Sequence, residues 1–138
     1  MRREGVPQPR GRSTGFGKAY DFEIPDDNIV QMQEAQIYKA VDGGEQCNYG
    51  EVFATDGRIG ALDLTLLKDD RDFFPVYNPS LTVSEEMMGQ YPEIVGVFAP
   101  ISKKLNDKTL RDLNAAVDVG GKSPKAVARN FLRENGFL

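Results

Sequence analysis

The residue types used most often for catalysis and metal binding are scarce in this chain of 138 residues, which contains no histidine and a single cysteine, Cys47. Without histidine, the usual general base, the commonest metal ligand and any Ser-His or Cys-His nucleophile are absent. One cysteine cannot form an internal disulfide. The sequence therefore predicts a protein that is not an enzyme, with no catalytic residue and no cofactor.

Three aspartates, Asp69, Asp70 and Asp72, lie within four residues, a pattern that suggests a calcium-binding site. The loop has no internal glycine and no bidentate glutamate at the twelfth position, so an EF-hand is excluded. We interpret this segment as a charged surface turn, and no metal site is predicted.

An aromatic pair, Phe53 and Tyr77, lies at the two ends of the stretch of residues 53–77. Phe53 ends a predicted strand, and a Thr-Asp-Gly turn at residues 55–57 follows it directly. Ligands of open α/β sheets bind at the carboxyl ends of the strands, so Phe53 is placed to face a cleft. The alternative from the residues alone is that Phe53 is a core aromatic residue.

This stretch resembles the substrate-binding proteins of ABC importers for glycine betaine, choline and related osmoprotectants. Their Tyr-Ser-Thr-Asp-Gly-Arg corresponds to the six residues from Phe53, and their Phe-Phe-Pro-Pro-Tyr to the five that end at Tyr77. The resemblance implies that Phe53 and Tyr77 belong to an aromatic box around a quaternary ammonium. Such a cation has no N–H donors, but aromatic faces attract it by about 0.5–2 kcal/mol per ring.

The resemblance extends over nearly all of the chain. Residues 107–118 and 122–132 are similar to the closing helices of the family. The segment Arg-Arg-Glu-Gly-Val-Pro from Arg2 resembles the family's Arg-x-Asp/Glu-Gly-Leu-Pro, whose leading arginine binds the ligand carboxylate. Arg2 is therefore implied as a third ligand-binding residue, which would favour betaine or carnitine over choline.

The fold that the resemblance implies is an α/β, type II periplasmic-binding-protein-like fold, of which this chain is the C-terminal half. Residues 1–54 would be the C-terminal part of ligand-binding lobe 2, and residues 55–138 that of lobe 1 with its terminal helices. The implied partners are a quaternary ammonium ligand and an ABC transporter permease. The implied location is extracytoplasmic, with a signal segment that is not in this chain, since its N-terminus has no apolar run.

The patterns of apolar residues agree with an α/β chain. Alternation predicts strands at residues 19–24, 46–54 and 63–67, followed by an extended segment at 73–83. Helical spacing begins at Ile29 and ends at Gly43 and Gly44, which makes the first elements a βαβ unit.

Beyond residue 84 the pattern is helical. Each predicted helix boundary is marked by a capping residue, a proline or a glycine. These boundary residues are Ser84, Pro92, Pro100 (bending or ending its helix), Asp107, Ser123 with Pro124, and Gly136.

The charge is uneven, with five basic residues and one acidic residue in residues 1–18. This arm could be a nucleic-acid tail, but a solvated loop is favoured, and the acidic remainder argues against nucleic acid as a partner. A second alternative is a truncated, self-associating fragment without ligand binding. Incomplete lobes would expose apolar faces and strand edges, which favours a homodimer.

Overall fold

The computed structural model describes the backbone of residues 12–138 and the side chains of residues 15–138. Over this range the chain forms seven α-helices and one 3-10 turn. They are α1 Arg12–Tyr20, the 3-10 turn Asp26–Asn28, α2 Glu34–Gly43, α3 Arg58–Ala61, α4 Glu85–Gln90, α5 Ile94–Ser102, α6 Asp107–Asp118 and α7 Pro124–Glu134. None of these helices has the length and apolar character needed to cross a membrane.

The predicted α/β class is not confirmed, because residues 12–138 contain no β-strand. Residues 12–18, predicted to belong to a solvated loop, are helical and form most of α1. Residues 19 and 20, predicted to begin a strand, end the same helix. Residues 46–54, 63–67 and 73–83 are not helical, but no backbone hydrogen bond pairs them with one another. A strand needs a neighbour that completes its hydrogen-bond ladder, and the described part of the chain supplies none.

Helix ends that depend on local capping agree with the prediction. The hydroxyl of Ser84 accepts a backbone hydrogen bond of 3.1 Å from the first turn of α4. Gly44 ends α2 in the left-handed region, with a φ of 64°. Pro124 begins α7, and Gly136 follows its last turn with a φ of 74°.

Three predicted helix starts are wrong by a few residues or fewer, and one of them is α5, which begins at Ile94 rather than at Pro92. Helix α2 begins at Glu34 rather than near Ile29, because the chain stays extended after the 3-10 turn. Helix α6 is capped by Asn106, whose side chain accepts a hydrogen bond of 2.9 Å from the backbone N–H of Thr109. Asp107, the predicted cap, is instead the first helical residue, where its charge suits the helix dipole.

The chain divides into two compact units, and the described part of the first comprises residues 12–31 and 67–76. At its centre the ring of Phe16 lies 5.0–5.6 Å, between centroids, from four other aromatic rings. These rings belong to Tyr20, Phe22, Phe73 and Phe74. Such separations are those of favourable aromatic pairs, so these rings hold the unit together although none of them is fully buried.

The acidic segment at residues 69–72 forms the predicted turn, but Asp69 is more than a solvated charge. Its carboxylate accepts backbone hydrogen bonds from Phe73 at 3.1 Å and from Phe74 at 2.8 Å, and another from the hydroxyl of Tyr20. The Tyr20 hydrogen bond, assisted by those from the backbone, lowers the pKa of Asp69. This carboxylate therefore orients the aromatic cluster.

The second unit comprises residues 32–66 and 77–138. The buried hydrophobic side chains of the described chain all lie in this unit; they are Tyr38 of α2, Ile59 of α3 and Val127 of α7. Helix α6 contacts both α3 and α7 and is the scaffold on which the site described below rests. The predicted assignment of residues 1–54 and 55–138 to two lobes stays a prediction.

Candidate ligand-binding site

The two aromatic residues singled out in the sequence lie together in the second unit. The ring centroids of Phe53 and Tyr77 are 6.1 Å apart and their planes meet at 87°. Both rings are accessible to solvent, with exposed fractions of 53% for Phe53 and 68% for Tyr77. Phe53 is therefore not a core residue, which was the alternative left open by the sequence.

The geometry of this pair suits a cation. Attraction between a cation and an aromatic face acts within about 6 Å of the ring centroid. Because the centroids of Phe53 and Tyr77 are 6.1 Å apart, one cation can lie within that distance of both rings. Their role in binding a ligand stays a prediction, and Arg2, the third predicted ligand-binding residue, lies outside the described residues.

Phe53 is followed by a tight turn that Asp56 closes. The backbone N–H of Asp56 donates a hydrogen bond of 3.0 Å to the carbonyl of Phe53. The carboxylate of Asp56 accepts the backbone N–H of Arg58 at 2.9 Å. It also accepts two guanidinium hydrogen bonds from Arg58, at 2.9 Å to Oδ1 and 2.5 Å to Oδ2. This bidentate pair fixes the shape of the turn.

The same arginine links the turn to α2. Its guanidinium carbon lies 4.0 Å from the ring centroid of Tyr38, and Nη2 lies 3.8 Å from a carboxylate oxygen of Glu34. Hydrogen bonds from Arg58 lower the pKa of Asp56 to about 2, although partial burial opposes this change. Burial, followed by the influence of the Asp56 carboxylate, raises the pKa of Tyr38 to about 12. At pH 7 the charged side chains of Asp56, Arg58 and Glu34 therefore surround the neutral phenol of Tyr38.

Helix α6 holds the other side of this turn. Arg111 Nη1 donates to the carbonyl of Ala54 at 2.7 Å, and Asn114 Nδ2 donates to the carbonyl of Thr55 at 2.8 Å. Gly57 packs so closely that a Cβ there would lie 2.3 Å from the backbone N of Ala115. Sequence reasoning missed these contacts. The only local signal is a pair of polar residues three apart on an amphipathic helix, which places them on one face without identifying a partner.

A shallow groove of about 520 Å³ lies between α3 and α6, lined mainly by glycine and alanine. Neither Phe53 nor Tyr77 lines it. Ligand pockets usually combine an apolar wall with several convergent polar groups, and this groove has few. Among residues 12–138 there is also no group of three or more His, Cys, Asp or Glu residues placed to hold a metal ion.

Comparison with known proteins gives a family match over most of the chain. Residues 7–134 match the sequence model of the substrate binding domain of the ABC-type glycine betaine transport system. This range includes both aromatic residues and all of α6.

Individual relatives agree with the family match. A glycine-betaine-binding protein of Pseudomonas aeruginosa is 38% identical over 135 residues, which are 96% of this chain and 43% of that protein. An ergothioneine transport permease/ergothioneine binding protein of Helicobacter pylori is 38% identical over 123 residues, covering 89% of this chain and 22% of the relative.

A solved structure, apo YehZ from Escherichia coli, superposes on this chain with a TM-score of 0.77 at 31% sequence identity. The superposition covers 91% of this chain and 46% of the YehZ chain. This chain therefore spans less than half the length of each of these three proteins.

Proposed function

This chain belongs to the family of substrate-binding domains of ABC-type glycine betaine transport systems, and from that premise we propose that it binds a quaternary ammonium osmoprotectant through Phe53 and Tyr77. The ligand is glycine betaine, choline or carnitine. The family is one of transport proteins rather than enzymes. Because this chain belongs to that family, the alternative of a self-associating fragment without ligand binding is not favoured.

The observation that supports this ligand class is the close, accessible pair of rings. Hydrogen bonds cannot select a quaternary ammonium, because it has no N–H group. Two ring faces can select it, and rings that are 6.1 Å apart can act on one cation together. Phe53 in place of tyrosine keeps the aromatic face and loses only the hydroxyl.

The finer features of the function belong to the same proposal. The ligand is delivered to the permease of an ABC importer, in an extracytoplasmic location. The chain contributes the C-terminal half of an α/β, type II periplasmic-binding-protein-like fold. Residues 1–54 belong to one lobe, residues 55–138 to the other, and Arg2 pairs with the carboxylate of betaine or carnitine. The absence of a nucleic-acid partner stays a prediction.

An NMR titration of the chain with glycine betaine and with choline tests the proposal. We expect saturable shifts of the ring signals of Phe53 and Tyr77. The neutral isostere of choline, 3,3-dimethylbutan-1-ol, is expected to cause none, because it lacks the positive charge. Each substitution Phe53→Ala or Tyr77→Ala should weaken binding roughly twofold to thirtyfold, which is the contribution of one ring.

Two variants serve as controls. Phe53→Tyr keeps the aromatic face and is expected to bind as the wild type does. Tyr49→Ala removes an aromatic side chain of the same unit that is 79% exposed, and it should leave the affinity unchanged. Wild-type affinity in a Phe53→Ala, Tyr77→Ala double variant would rule out the proposed site.

A further inference from the structure

Two side chains of α6 donate hydrogen bonds to the backbone directly after Phe53. Arg111 donates to the carbonyl one residue beyond Phe53, and Asn114 to the carbonyl two residues beyond it, at 2.7 and 2.8 Å. They are one turn apart on the helix and reach two consecutive carbonyls of the turn. This arrangement fixes both the position and the direction of the chain where it leaves Phe53.

We propose that Arg111 and Asn114 are positioning residues, which hold the ring of Phe53 against that of Tyr77 and thereby set the affinity for the quaternary ammonium. This inference rests on the proposed function. Neither residue needs to touch the ligand. Both act through the backbone of Ala54 and Thr55, to which they donate.

The ring of Phe53 depends on its backbone because little else holds it. It is more than half exposed, and its aromatic contact is with Tyr77. The turn after Phe53 is closed by residue 56, so a displacement of the carbonyls of residues 54 and 55 moves the ring with them. If the ring pair is formed only part of the time, the apparent affinity falls in proportion to the fraction of time for which the pair is formed.

The ion pair of Asp56 and Arg58 cannot replace the hydrogen bonds from Arg111 and Asn114. Those two residues lie two positions apart in one turn, so the hydrogen bonds between them set the shape of the turn and not its place on α6. Arg111 and Asn114 lie 57 and 59 residues from the carbonyls that they bind. Helix α6 is itself held by its Asn106 cap and by its contacts with α3 and α7.

The test uses Arg111→Ala, Asn114→Ala and the double variant, with two measurements. The first is cross-relaxation between the ring protons of Phe53 and Tyr77 in the ligand-free chain. The second is the dissociation constant for glycine betaine. We expect each substitution to weaken the ring contact and to raise the dissociation constant by about twofold to tenfold, and by no more than Phe53→Ala does, because both residues act only through the position of that ring.

Two controls separate positioning from general stability. Lys108→Ala removes an exposed residue of the same helix that pairs with Asp112 at 2.7 Å, and both measurements should stay as in the wild type. Val127→Ala removes part of a buried side chain of α7, and it should lower the melting temperature without changing the ring contact.

The inference is overturned if the double variant keeps the ring contact, or if it loses the contact and keeps the affinity. A wild-type chain that fails to bind glycine betaine would count against the proposed function alone. In that case the ring contact in the ligand-free variants still decides whether α6 positions Phe53.

Discussion

The carboxylate of Asp56 is the ionisable group on which the turn after Phe53 depends. Both of its oxygens accept hydrogen bonds from Arg58, and the arginine in turn covers the ring of Tyr38. Only the ionised carboxylate can accept both guanidinium hydrogen bonds. Protonation would therefore loosen the turn that carries the proposed binding residue.

We expect the chain to lose stability as the pH falls from about 4 to about 2. The pKa of Asp56 is lowered from 3.8 to about 2 in the folded protein, so the unfolded state binds more protons than the folded state in this range. The stabilisation is present above the unfolded pKa and is lost as the pH falls through the folded pKa. Its size is on the order of 1 kcal/mol, reduced by solvent screening.

Urea unfolding of wild type and Asp56→Asn at pH 7 and near pH 2 measures this contribution. The difference in free energy of unfolding between the two proteins should be largest at pH 7 and shrink towards pH 2. Asp118→Asn, which changes an exposed carboxylate of α6, is the control and should show little difference at either pH. A difference for Asp56→Asn that does not change with pH would contradict the expected linkage.

At the scale of single residues, the sequence predicted what short motifs encode. The Thr-Asp-Gly turn and the pair Phe53 and Tyr77 were found because the spacing resembles that of a known family. The stacking of Arg58 on Tyr38 was not found, since the two residues lie on different elements. Their contact depends on how α2 and the turn pack, which no local pattern states.

At the scale of elements, the packing of α3 against α6 depends on one glycine. We expect Gly57→Ala to destabilise the chain by about 1–3 kcal/mol, because its Cβ would lie 2.3 Å from the backbone N of Ala115. Backbone atoms cannot move aside as a flexible side chain can, so the two elements must separate. Urea unfolding followed by circular dichroism measures the loss.

Gly60→Ala is the matched control, since it lies in α3 and a Cβ there meets nothing within 4 Å. It should leave the stability unchanged or raise it by about 0.5–1 kcal/mol, because alanine favours the helix. Equal effects of the two substitutions would show that the close approach at Gly57 does not limit the packing.

Helix α2 and the helices beyond residue 84 were predictable from the sequence, whereas α1 and α3 were missed and the predicted strands do not form among residues 12–138. The cap of Ser84 and the sequence from Ser123 through Pro124 to Gly136 act within a few residues, so a local pattern is sufficient. Residues 63–67 have the apolar pattern of a strand, but a strand also needs a partner. The missed contacts of Arg111 and Asn114 with residues 54 and 55 are likewise distant in the sequence.

At the scale of the whole molecule, the apolar surface is large for a chain with so small a core. Helix α5 has no buried residue, and Val95, Val97 and Phe98 on it are exposed. The helix also continues through Pro100 to Ser102, rather than ending at the proline. Val95 and Phe98 are three residues apart and share one face of the helix, whereas Val97 lies on the opposite face. Exposed apolar surface of this kind usually marks a place where further protein packs. The matched proteins contain more than half of their length beyond the matching part.

We therefore expect the chain to self-associate through α5, in line with the homodimer predicted from the sequence. Val95→Glu with Phe98→Glu places two charges on one face of α5 that would be desolvated by association, so the weight-average mass should fall towards that of the monomer. Sedimentation equilibrium over a range of concentrations measures this mass. Tyr49→Glu, an exposed position of the same unit outside α5, should change it little. A wild-type chain that is monomeric at every concentration would show that the exposed apolar side chains of α5 do not drive self-association.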